Sequence, residues 1–165
     1  ATPIGEVSYL RGTRTAAAFQ WQAGRGAPSL LIGLQPLPVT LANGVRFLGY
    51  TVSRPTADIL RIEYVWQSTR VGPGVTDADL AVYVHIVDQS GQTMAQKDGM
   101  PTPSAEWQAG DTLVAWLDVT LKGLPSGHAE LRGGMYRRPL IQRVPAVDTT
   151  GAERDGEWSL GGVEL

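Results

Sequence analysis

Ile59-Leu60-Arg61-Ile62-Glu63-Tyr64-Val65-Trp66 decides how this chain folds. Leu60, Ile62, Tyr64 and Trp66 alternate with the charged Arg61 and Glu63. A period of two sends the first set to one face of an extended chain and the charges to the other. A helix would scatter those charges around its cylinder. The stretch is a strand with one face in a core.

The same reading extends in both directions. Leu80–Asp88 places Leu80, Val82, Val84 and Ile86 on one face. Its opposite face, with Ala81, Tyr83, His85 and Val87, is nearly as apolar, which predicts a central strand covered on both sides. Asp88-Gln89-Ser90-Gly91-Gln92 predicts a polar hairpin loop with Gly91 at positive φ. Met94–Lys97 is its return strand, and Asp98–Trp107, with Pro101 and Pro103, is a surface loop. Asp111–Leu121 alternates with Leu113, Ala115, Leu117, Val119 and Leu121 facing in. After the turn at Leu124–Gly127, His128–Tyr136 puts Ala129, Leu131, Gly133 and Met135 on one face. Arg137 to Pro145 holds one more irregular strand, Asp148–Gly156 is a polar loop, and Trp158–Leu165 is the final strand.

Towards the N-terminus, Val45–Val52 is a strand. Val7–Leu10 and Ala16–Trp21 are expected to pair across Arg11-Gly12-Thr13-Arg14, and Ser29–Leu34 to form another strand. Thr76–Leu80 has room for one short turn. Pro36-Leu37-Pro38 is either a linker between an N-terminal hairpin unit and the main sandwich or an edge crossing within one domain. One domain over residues 1–165 is favoured, with the membership of 1–43 open, because so short an N-terminal piece makes a poor core by itself.

Composition sets the limits. The chain has 165 residues, with 11 Pro and 20 Gly spread as punctuation between short Val-, Leu-, Ile-, Tyr- and Trp-rich runs. That is the signature of many strands and turns, and the expected fold is all-β: an antiparallel β-sandwich of about eight to ten strands, jelly-roll or immunoglobulin-like. With no Cys there is no disulfide framework, thiol nucleophile or Cys-ligated zinc. A net charge of -2 supplies no global basic field, and the basic residues are dispersed, so nucleic acid is not an expected partner. No apolar run approaches the roughly 18 residues of a membrane helix, so no direct membrane insertion by this segment is expected. The opening Ala-Thr-Pro, without Met or a signal-like stretch, suggests an excised or processed piece.

Candidate chemistry is sparse. Sugar binding uses flat rings against apolar sugar faces. Trp66 falls on an inward face and reads as core, Trp116 lies on the face opposite Leu113 and Leu117, and Trp21 and Trp158 cover the sandwich ends. Tyr136 beside Arg137 and Arg138 is the most site-like group, an aromatic with two cations suited to a sugar or an acidic glycan. Trp107, at a loop-to-strand junction, is the second ligand candidate. The 16 carboxylates show no catalytic constellation and no Asp-x-Asp-x-Asp-Gly calcium loop. His85 reads as a hydrogen-bonded histidine between layers and His128 as an exposed turn residue. No Gly-x-Ser-x-Gly elbow or phosphate-cradling glycine loop is present. No catalytic residue, metal site or cofactor is expected.

Several short motifs fall in a telling order. They are Gly44-Val45-Arg46-Phe47-Leu48-Gly49-Tyr50, Glu63-Tyr64-Val65-Trp66-Gln67, Tyr83-Val84-His85-Ile86-Val87-Asp88 with Gly91-Gln92 and Ala95-Gln96, and Trp107-Gln108-Ala109-Gly110-Asp111. Leu124-Pro125-Ser126-Gly127, Gly134-Met135-Tyr136 and Leu160-Gly161-Gly162-Val163-Glu164-Leu165 complete the set. From Gly44 to Leu165 the chain resembles the C-terminal β-sandwich domain of bacterial membrane glycosyltransferases of the dolichyl-phosphate-mannose type, also found in uncharacterised surface proteins. The Gly133-Gly134 pair departs from that family's apolar-Gly step. The resemblance implies a non-catalytic accessory domain outside the cytoplasm, tethered through a parent membrane protein and with no established ligand; carbohydrate as its ligand rests on fold analogy alone. The alternatives are a structural interaction module packing on its parent or another copy, and an unrecognised glycan-active enzyme.

Overall fold

In the computed structural model, residues 18–21, 33–69, 79–99, 109–110 and 112–165 are described. The alternating stretch becomes β4 (Ile59–Ser68), and Leu60, Ile62, Tyr64 and Trp66 are all buried, as their period requires. The remaining strands are β1 (Ala18–Trp21), β2 (Gln35–Leu41), β3 (Val45–Thr56), β5 (Asp79–Val87), β6 (Thr93–Gly99), β7 (Thr112–Thr120), β8 (His128–Arg138), β9 (Gln142–Arg143), β10 (Ala146–Val147), β11 (Glu153–Arg154) and β12 (Glu157–Glu164). Among the described residues there is no helix.

Two antiparallel sheets face each other. Sheet A runs β1-β7-β4-β3-β2-β10-β11, and sheet B runs β12-β8-β5-β6 with β9 also on β8. The protein is therefore an all-β sandwich. The chain changes sheet between β4 and β5, β6 and β7, and β7 and β8. β7 thus returns beside β4 and β8 beside β5, in Greek-key wrapping. The core lies between the sheets, with Phe47, Tyr64, Leu113 and Leu117 from sheet A meeting Val82, Val84, Leu131 and Met135 from sheet B. β5 is central, and both its faces carry buried residues, as its double apolar pattern predicts.

Two tyrosine hydroxyls tie the layers together. Tyr64 of β4 donates to the carbonyl of Tyr83 on β5 at 3.0 Å, and Tyr50 of β3 donates to the carbonyl of Leu160 on β12. The Gly133-Gly134 pair has a matching explanation. A Cβ at Gly133 would lie 2.8 Å from the Tyr64 hydroxyl on the core side, and one at Gly134 would overlap the Tyr83 ring on the outer side. Each glycine makes room for a tyrosine.

Pro36-Leu37-Pro38 belongs to β2. β10 covers only Thr40 and Leu41 of that strand, and the β2–β3 register shifts between Pro36 and Val39. The prolines, which have no N–H to donate, therefore sit at an irregularity on an uncovered edge. One sequence expectation needs correction. Asp148–Gly156 is not simply a loop, because it includes β11, which pairs with β10. Arg137 to Pro145 does hold one more short strand, β9, after the end of β8 at Arg138 and a turn. The Val7–Leu10 strand, most of the Ser29–Leu34 strand and the Asp98–Trp107 loop, and the start of Thr76–Leu80 lie outside the described residues.

Candidate functional site

The outer face of sheet B is organised in rows by strand register. In one row Asp98 pairs with Tyr83, Tyr83 with Gly134, and Gly134 with Glu157. The next row holds Gln96, His85, Arg132 and Ser159. On the other side stand Ala81, Tyr136 and Arg143. Residues of a row point to the same face, so groups from four separate parts of the chain converge.

A hollow of about 290 Å³ opens on this face. Its walls include Tyr83, Tyr136 and His85, with Gln96, Lys97 and Asp98 contributed by β6 and Ile141 and Arg143 by the β8–β9 hairpin. The three rings form a run: the Tyr83 centroid lies 4.7 Å from His85 and 6.0 Å from Tyr136. The Arg143 guanidinium is stationed 5.9 Å from the Tyr83 ring centroid. The Tyr136 hydroxyl donates to Asp98, which fixes the orientation of that carboxylate at the rim.

Glu157 is the electrostatic centre. Its side chain is only 14% exposed and faces His85 Nδ1 at 3.2 Å, Arg143 Nη2 at 3.1 Å and Arg132 Nη1 at 4.0 Å. Two guanidinium groups and an imidazole nitrogen close by are what a carboxylate largely removed from water requires. Arg143 is also held by Asp155 at 3.2 Å, and Arg132 by Glu130 at 2.8 Å. The Tyr83 hydroxyl is buried beside Glu157, and burial, the leading cause, pushes its pKa upward. The site thus offers ring faces together with fixed donors and acceptors, the make-up of a small-molecule pocket.

The sequence candidates separate. Tyr136 lines the hollow. Arg137 pairs with Leu80, whose side chain is in the core, so strand alternation turns Arg137 to the face opposite Tyr136. Arg138 has the parity of Tyr136 but is exposed at the end of β8, away from the hollow's lining. Trp107 lies outside the described residues. The cation that meets Tyr136 across the register is Arg143. Sequence reasoning missed Arg143, Glu157, Gln96 and Asp98, and it placed Tyr83 and His85 between layers. The apolar outer face of Leu80–Asp88 was the available signal.

Two other hollows, of 370 and 360 Å³, lie where the β5–β6 and β7–β8 connections meet. Both include Asp88, Gln89, Ser90 and His128, and neither has a Tyr, Trp or Phe in its lining. Among the described residues no group of three or more His, Cys, Asp or Glu is placed to hold a metal ion, and no helix is long and apolar enough to cross a membrane. No protein-family model matches the chain, and no curated protein matches it significantly.

Proposed function

We propose that the chain is a non-catalytic binding module that takes carbohydrate in the hollow on the outer face of sheet B. It serves as an accessory domain of a larger extracytoplasmic protein, of the glycosyltransferase or surface-protein kind that its sequence resembles. The observation that carries this reading is the run of Tyr136, Tyr83 and His85 along a 290 Å³ hollow with Gln96, Asp98 and Arg143 around it. Ligand pockets start at about 300 Å³, so this one suits a single sugar ring or the end of a chain.

The test is a glycan-array screen followed by calorimetry on the hits. Gln96 is exposed at the rim, so Gln96→Trp fills the hollow without entering the core. Binding by the parent chain that falls at least tenfold in Gln96→Trp supports the reading. An empty array, or hits indifferent to Gln96→Trp, removes it. A second reading, a glycan-active enzyme, draws on the His85–Glu157 pair. Turnover of an array hit, abolished in His85→Gln, would favour it over a binding module.

A further inference from the structure

The hollow on sheet B has two unlike walls. Its floor is Tyr136 of β8 with Tyr83 and His85 of β5. On one side β6 pairs with β5 and contributes only polar groups, Gln96, Lys97 and Asp98. On the other side the β8–β9 hairpin contributes Arg143 and, from its turn, Ile141. Among the described residues of the lining, Ile141 is the one aliphatic side chain. It is 73% exposed and holds a φ of 51°. A β-branched residue adopts that left-handed conformation only at a cost in strain, and Asn or Gly would fit it better. The position thus keeps an apolar side chain in water and against its own backbone preference. Strain of this kind collects at ligand clamps, where it is offset by what the residue does there.

We infer that Ile141 is a specificity-determining residue of the hollow, and that the sugar taken there bears a methyl group, as an N-acetylamino or a 6-deoxy substituent. The inference rests on the carbohydrate reading of the hollow and narrows its ligand class. The sugar ring lies on Tyr136 and Tyr83, its hydroxyls turn to Gln96 and Asp98 on β6, and its methyl group meets Ile141. That contact takes apolar surface of both partners out of water, which a hydroxyl in the same place would not do. The charges point the same way. Asp155 and Glu157 hold Arg143, and Lys97 stands against Asp98 in the lining. No excess of positive charge therefore calls for an acidic sugar. Leu140, the neighbour of Ile141, is 83% exposed and does not line the hollow, so it serves as the control position.

The experiment is calorimetry of the full chain with glucose, galactose and mannose, each beside its N-acetylamino and its 6-deoxy counterpart. The parent is compared with Ile141→Gly, Ile141→Asn and Leu140→Gln. The parent is expected to bind a methyl-bearing sugar about fivefold or more tighter than its plain counterpart. Ile141→Gly and Ile141→Asn should bring the two together and leave the affinity for the plain sugar unchanged, whereas Leu140→Gln keeps the preference. Gly and Asn suit a left-handed φ, so both Ile141 variants should unfold at or above the parent's midpoint. Equal binding of plain and methyl-bearing sugars by the parent, or a preference that survives Ile141→Gly, overturns the inference and leaves the carbohydrate reading standing. A clearly lowered midpoint in Ile141→Gly also overturns it, because Ile141 then packs on its own chain. Binding of none of these sugars overturns it as well, and an empty glycan array removes the carbohydrate reading with it.

Discussion

Gly134 shows how one absent methyl shapes a site. Tyr83 lies over it, and an added Cβ would meet both that ring and the Gly156 carbonyl, the latter at 2.6 Å. Gly134→Ala should therefore cost about 1–3 kcal/mol, the usual range for overpacking, read as a lower urea midpoint. If Ala is accommodated at no cost, Tyr83 does not lie where its neighbours need it. Ile141 makes the opposite case, because its positive φ is a standing penalty. Ile141→Gly should raise stability by roughly 1 kcal/mol, and thermal unfolding would show it. Neither glycine of the 133–134 pair can be given a partner from sequence, since the rings that fill the space come from residues 64 and 83. Tyr136 stands out in the sequence because an aromatic at a strand end is informative alone, and it lines the hollow. Arg137 and Arg138 are its neighbours in sequence, while Arg143 is its neighbour in space.

At the scale of elements, the same hairpin is built twice. In Asp88-Gln89-Ser90-Gly91-Gln92 the carboxylate accepts from the Ser90 N–H and hydroxyl and from the Gln92 N–H. In Asp148-Thr149-Thr150-Gly151-Ala152 the carboxylate accepts from the Thr150 N–H and hydroxyl and from the Ala152 N–H. Gly91 and Gly151 both turn at positive φ, 86° and 85°. These bonds, led by the Ser90 and Thr150 hydroxyls, hold both carboxyls below the ordinary aspartate value of 3.8. The unfolded chain then binds protons more readily than the folded one, so stability is fully present above about pH 4 and declines as pH falls through the lowered values. Asn keeps the accepting oxygen but does not titrate. The double variant Asp88→Asn/Asp148→Asn should therefore show a flatter acid limb in a plot of urea midpoint against pH, and an unchanged limb would assign acid sensitivity to other groups. The first hairpin is readable because long alternating strands flank it. The second shares its Asp-x-Ser/Thr-Gly spelling, yet its arms are two residues each, too short for a period of two to register.

For the whole molecule, the alternation of residues 59–66, 80–88 and 111–121 suffices for a sandwich, because burial of one face is a local property of a strand. The site is not local. It depends on β12 lying beside β8, β8 beside β5 and β5 beside β6, and no periodicity records which strands become neighbours. The sheets in turn depend on few polar links. Tyr64→Phe leaves the Tyr83 carbonyl without the hydroxyl it accepts from, and should cost about 1–2 kcal/mol in equilibrium unfolding. An unchanged stability would mean that apolar packing alone fixes the spacing of the layers.

The chain between β9 and β12 leaves sheet B, pairs with β2 of sheet A through β10, turns back through β11 and returns to sheet B. Arg143 stands just before this excursion and Glu157 just after it, and the two are bonded to each other. The detour is thus a closed handle whose base is a wall of the hollow and whose far end is the exposed turn at Thr149–Thr150. A dye or a circularly permuted fluorescent protein spliced into that turn would sit away from any occupant yet share its anchorage. The fold offers a ready frame for a sensor that reports occupancy from a distance.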